Sequence, residues 1–154
     1  MKRRLRGITK LNECIQQFVG EWGLDSQIDT DFAYDPISET VFWTLVVSEQ
    51  NDKDFHDFFY SLGCKVEADV FILSILHEIG HSQTLRYLSD EDYNYSQDRK
   101  AEKLSNYEYF ILPDELEATK WAVDYLNENA DKVKKFWNEL QPLIIEFYEK
   151  NHIL

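Results

Sequence analysis

His77-Glu78-Ile79-Gly80-His81 is the stretch of this 154-residue chain whose residue types and spacing point most directly to chemistry. On an α-helix, residues i and i+4 share a face, so the two imidazoles can grip one Zn2+. Glu78, about 100° round the helix, then reaches a water on that ion. A catalytic zinc takes three protein ligands and keeps a fourth position open, and the water's lowered pKa lets a carboxylate remove its proton at neutral pH. The pattern therefore predicts His77 and His81 as ligands of a single zinc and Glu78 as the catalytic base. From the chain's own His and Glu frequencies, a chance H-E-x-x-H arises with a probability on the order of one in a hundred.

A third ligand must come from elsewhere. Extension of the motif to H-E-x-x-H-x-x-G-x-x-H would need Gly at 84 and His at 87, where the chain has Thr84 and Tyr87. The one later histidine is His152, near the end of the sequence, where a frayed terminus makes a poor ligand. A carboxylate is expected instead. In Asp114-Glu-Leu-Glu-Ala-Thr-Lys-Trp-Ala122 the small residues Ala118 and Ala122, four apart, would let a helix pack closely on the motif helix with Glu117 projecting towards the imidazoles. Asp124, Glu115 and Asp114 are the alternatives. Asp124, on the same helical face as Glu117, is also a candidate to hold an imidazole's other nitrogen.

HEIGH followed by ELEATKWAVDYL resembles the compact gluzincin metallopeptidases, and most of all the ImmA/IrrE group, with its H-E-x-x-H helix and later E-A-N-x-F-A helix. The resemblance covers the two motifs and, loosely, a preceding hairpin. It implies His77, His81 and Glu117 as zinc ligands, Glu78 as catalytic base, and a regulatory protein of the cytoplasm as substrate. Thr119 stands where that family favours Asn, and Trp121 where it favours Phe.

The elements that must position these residues are legible in outline. Ile8, Leu11, Ile15, Phe18, Val19 and Trp22 form one apolar helical face over residues 8–23. Residues 31–35 and 40–47 are β-prone runs around a Pro- and Ser-containing turn and predict a hairpin, whose 40–47 strand offers an edge for an extended peptide. A short helix is expected over 54–62. A central one is expected over 68–88, where 70–76 is apolar on nearly every side and Gly80 suggests close approach by another segment. Residues 89–99 are polar and read as a loop, with a helix over 96–107. Further helices are predicted over 113–129 and 132–150. The expected fold is α+β, a single zincin-like domain over 1–154 with a small antiparallel sheet beside a helical bundle.

Sixteen Lys+Arg against 29 Asp+Glu give a net charge of −13, which disfavours nucleic acid and anionic membranes as partners. The charge favours encounter with basic segments of a protein or peptide substrate. Cys14 and Cys64 make no C-x-x-C pair, and the basic start MKRRLR is followed by no continuous apolar run, so a cytoplasmic protein is expected. Zinc-dependent hydrolysis of peptide bonds is the leading reading, with Tyr93, Tyr95, Tyr107, Tyr109 and His56 as available donors to a developing oxyanion. The alternatives are a catalytically inactive interaction or inhibitor protein on the same scaffold, with an acidic surface, and a structural zinc site, which would favour Cys.

Overall fold

The computed structural model describes residues 7–46 and 48–151. Helix α1 (Ile8–Val19) runs into a 3-10 turn at Gly20–Trp22, and three short strands follow: β1 (Asp25–Ile28), β2 (Ala33–Asp35) and β3 (Thr40–Trp43). Six more helices complete the described chain: α2 (Glu49–Ser61), α3 (Val70–Thr84), α4 (Asp90–Lys100), α5 (Asn106–Phe110), α6 (Pro113–Glu128) and α7 (Ala130–Lys150). The class is α+β, as expected. No helix among the described residues is long and apolar enough to cross a membrane. Met1–Arg6, Val47 and His152 lie outside the described residues.

The expected hairpin is present. β2 pairs antiparallel with β3, and the Asp35 carboxylate closes the turn by accepting from the Ile37 N–H at 3.0 Å and the Ser38 hydroxyl at 2.8 Å. The sheet is nevertheless mixed rather than antiparallel, because β1 adds to the other side of β3 in parallel. Asp25-Ser-Gln-Ile has no alternating apolar pattern and gave no strand signal.

β3 is thus the central strand, hydrogen-bonded on both sides, and cannot serve as the peptide-docking edge expected of 40–47. The outer side of β1 is occupied by α1: Gln16 donates to the Leu24 carbonyl at 2.8 Å and accepts from the Ser26 N–H at 2.7 Å, while Asn12 donates to the Ser26 carbonyl at 3.1 Å. Asn12 also accepts from the Trp43 indole at 2.8 Å, tying α1 to the fully buried Trp43. The edge left without a strand or side-chain partner of this kind is that of β2, which has no pairing on its outer side among the described residues.

α3 is the central helix. The Asp69 carboxylate caps it by accepting from the Phe71 N–H at 2.9 Å, and Leu73, Ile75, Leu76 and Ile79 are fully buried. Its most extensive packing is along α6, with β2, β3 and α2 around it. Gly80 makes that packing possible. A Cβ at Gly80 would stand 2.3 Å from the Ala118 carbonyl oxygen, well inside contact distance.

The polar segment 89–99 forms helix α4 rather than a loop. Its ends explain it: the Ser89 hydroxyl accepts from the Asp92 N–H at 3.1 Å, three acids fill the first turn, and Arg99 and Lys100 close the last. Ser96 alone is buried, so there is no apolar stripe to read. The helix expected over 96–107 is divided, because α4 stops at Lys100 and a capping box between Ser105 and Glu108 starts α5. α2 begins five residues earlier than the 54–62 reading.

Gly80→Ala should destabilise the fold by about 2 kcal/mol or more, since the two backbones must separate to admit the methyl group. Urea unfolding of the variant beside wild type measures this. An unchanged midpoint would contradict the close contact with Ala118.

Candidate metal centre

α3 presents His77 and His81 on one side, and the first turn of α6 presents a carboxylate to both. That carboxylate belongs to Glu115. Its Oε1 lies 3.0 Å from His77 Nε2 and 3.2 Å from His81 Nε2. Glu117, expected in this place, points elsewhere: its side chain is half-exposed and pairs with Lys120 at 3.6 Å. The helical period explains the correction. Ala118, Thr119 and Ala122 face α3, and the positions one turn before Ala118 and Thr119 on that face are 114 and 115, whereas 117 is turned about 100° away from 118. Asp124 is exposed for the same reason.

The other nitrogen of His77 is held by Thr119 at 2.9 Å. The Thr119 hydroxyl donates to the Glu115 carbonyl one turn back, at 3.0 Å, so its oxygen accepts from the His77 Nδ1–H. The lone pair of Nε2 is thereby directed at Glu115 Oε1. At that distance Nε2 and the carboxylate oxygen share either a proton carried by the imidazole or a metal cation. Ligand atoms bound to one tetrahedral zinc at about 2.0–2.1 Å would stand a little over 3 Å apart, and the donor set is that of a His2Glu zinc site. The residues present fit a zinc ion.

Glu78, Asp114 and Glu115 are all buried, at 5, 6 and 5% exposure. Lys100 Nζ lies 2.6 Å from Asp114 Oδ2 and 2.8 Å from Glu115 Oε2. Three carboxylates against one ammonium leave a charge of minus two when both imidazoles are neutral, which one divalent ion cancels. Protonation answers the same imbalance: burial alone would lower the His81 pKa, but the Glu115 carboxylate lifts it to about 9. Burial pushes Glu115 up, and the charges and hydrogen bonds of His81 and His77 outweigh it, holding the carboxyl well below its ordinary range. Burial raises Glu78, whose carboxylate is 3.9 Å from His81 Nε2.

Two cavities open onto the cluster from either side, of about 300 and 280 Å³. Both are lined by Phe32, Glu78, Tyr109 and Glu115. The first is also walled by Ala33 and Tyr34 of β2, and the second by Phe55 and Phe110. Of the candidate oxyanion donors, Tyr109 lines both cavities and Tyr93 the first. Tyr107 packs on Phe58, Tyr95 is exposed, and His56 pairs with Glu67 at 3.2 Å. Cys14 and Cys64 are free thiols, and neither belongs to the clusters of metal-ligating side chains at this centre. Sequence reasoning missed Lys100 altogether, because it stood inside the helix expected over 96–107 with no motif or spacing that tied it to the imidazoles.

No family model matches the chain, and no curated protein or solved structure matches it.

Glu115→Gln should weaken zinc binding at least about a hundredfold, while Glu117→Gln leaves it unchanged. Competition with a chromophoric chelator distinguishes the two. Without metal, the cluster also makes stability depend on pH. His81, with its folded pKa raised, stabilises fully below pH 6.5 and loses this as pH rises through about 9. Glu115, with its folded pKa lowered, stabilises fully above pH 4.5 and loses this as pH falls. The unfolding free energy of the metal-free protein, wild type minus Glu115→Gln, should therefore be greatest between pH 4.5 and 6.5. A difference flat to pH 9 would contradict the pairing.

Proposed function

We propose that this chain is a zinc-dependent metallopeptidase in which His77, His81 and Glu115 hold the metal and Glu78 is the catalytic base. The observation that carries the reading is the convergence of two imidazole nitrogens on one buried carboxylate oxygen, beside Glu78 and between two open cavities. It keeps the motif pattern of the gluzincins, with the third ligand two residues earlier than the E-A-x-x-x-A alignment implies.

Zinc bound there would supply Lewis acidity, polarising a scissile carbonyl and acidifying a water. Glu78 takes that proton on its carboxylate and hands it to the leaving amine. Its raised pKa suits a group that must hold a proton for part of the cycle. Tyr109, whose hydroxyl burial keeps protonated, is the donor best placed to meet the developing oxyanion. An extended peptide entering the cleft would run along the free edge of β2, where main-chain hydrogen bonds fix its register. The surface charge favours a basic protein segment and works against nucleic acid as a partner.

Glu78→Gln should retain zinc and lose at least about a hundredfold in peptide hydrolysis, and Tyr109→Phe should lower kcat about tenfold or more with KM nearly unchanged. Mass spectrometry of peptide mixtures incubated with the zinc-loaded proteins reads both. A wild-type protein that binds zinc yet cleaves nothing, with a binding partner unaffected by Glu78→Gln, would favour the inactive interaction protein.

A further inference from the structure

Resting on the metal reading above, we propose that Lys100 is the positioning residue of the centre. It divides the Glu115 carboxylate so that only one oxygen is offered to the metal, and it fixes the number of bound ions at one. Glu115 Oε1 faces both imidazoles, at 3.0 and 3.2 Å, while Oε2 is held by the Lys100 ammonium at 2.8 Å. The same ammonium is 2.6 Å from Asp114 Oδ2 and lies over the Tyr109 ring, 5.5 Å from its centroid. It is therefore constrained on several sides, and its side chain is mostly buried.

Two consequences follow from that placement. A carboxylate that keeps one oxygen on an ammonium binds a metal through the other alone, which leaves coordination positions open for water and substrate. His77, Glu78 and His81 form one group of metal-ligating type, and His81, Asp114 and Glu115 form a second that overlaps it at His81. Lys100 stands where a cation shared by Asp114 and Glu115 would sit, so a second ion is excluded. The cost is a positive charge close to the metal position, which weakens ion binding by direct repulsion. The centre trades affinity for an open coordination sphere.

The test compares Lys100→Met with Asp114→Asn at one fixed pH, reading zinc affinity and stoichiometry by chelator competition and coordination number by the visible absorption of the Co2+-loaded proteins. Lys100→Met should bind zinc at least about tenfold more tightly. Its Co2+ absorption should weaken as the freed carboxylate adds a second oxygen. Asp114→Asn should bind zinc about tenfold more weakly, because it removes a negative charge and leaves the ammonium to Glu115 alone. Both variants break the same Lys100–Asp114 contact, so a merely structural role would move both affinities in the same direction, and that result overturns the proposal. If Lys100→Met does not fold, Lys100→Arg and Asp114→Asn decide: Lys100→Arg, keeping the charge, should stay within about threefold of wild type. A weakened Lys100→Arg or an unchanged Asp114→Asn overturns the proposal. Wild-type protein that takes no zinc overturns the metal reading, and this inference with it, whereas one zinc in wild type with equal or weaker binding in Lys100→Met overturns only the role of Lys100.

Discussion

Everything at the site depends on how closely α3 and α6 approach one another. Because position 80 has no Cβ, the Ala118 carbonyl can lie where a methyl group would otherwise stand. That contact brings the first turn of α6 to the side of α3 carrying His77 and His81. With an ordinary side chain at 80, a separation of even an ångström would take Glu115 Oε1 beyond reach of both imidazoles and Thr119 beyond reach of His77 Nδ1. A Gly inside a helix costs about 1 kcal/mol relative to Ala, and here the close backbone contact accounts for that cost.

The packing also settles which polar groups can be buried. Glu78, Asp114, Glu115, Thr119 and His77 lie in or beside an apolar interface, where an unpaired charge is prohibitively unfavourable. All but Glu78 have an answer in the geometry: His77 is fixed between Thr119 and Glu115, Thr119 donates to the Glu115 carbonyl, and Asp114 and Glu115 share Lys100. Burial and neighbouring charge act in opposite directions on the two acids nearest the imidazoles. Glu78, without an ammonium partner, is raised, and Glu115, surrounded by cations and donors, is lowered. Burial thus favours the protonated form of Glu78 while cationic neighbours favour the ionised form of Glu115, the opposite biases that the proposed base and ligand would need.

The sequence carried the site as far as residue type and local spacing can carry it. H-E-x-x-H placed two histidines and a glutamate on one turn, and the apolar surroundings of 70–76 marked the helix as central. The small residues Ala118 and Ala122 identified the helix that packs on it. The carboxylate beside the imidazoles is Glu115 rather than Glu117, which is expected there because it adjoins Ala118 in sequence, although adjacency on a helix means a turn of about 100°. Projecting the Ala118–Ala122 face one turn back would have reached Asp114 and Glu115. For β1 no such correction was open, since Asp25-Ser-Gln-Ile is held by pairing with β3 and by Asn12 and Gln16 rather than by its own propensity.

The segment between the two motif helices is where local signals and function diverged most. Residues 89–110 have little apolar periodicity, because α4 buries a serine and little else, so a reading built on hydrophobic faces takes 89–99 for a loop and places one helix over 96–107. Yet its end signals are strong: Ser89 and Ser105 cap, acids lead and bases close α4, and Pro113 opens the helix beyond. Capping and charge order made these helices, and their ends deliver Lys100 and Tyr109 to the cluster, one against Glu115 and Asp114 and the other between the two cavities. Polar helices of this kind contribute little apolar area to the core. They can instead carry an ammonium and a phenol hydroxyl to a buried centre whose imidazoles and carboxylates come from α3 and α6.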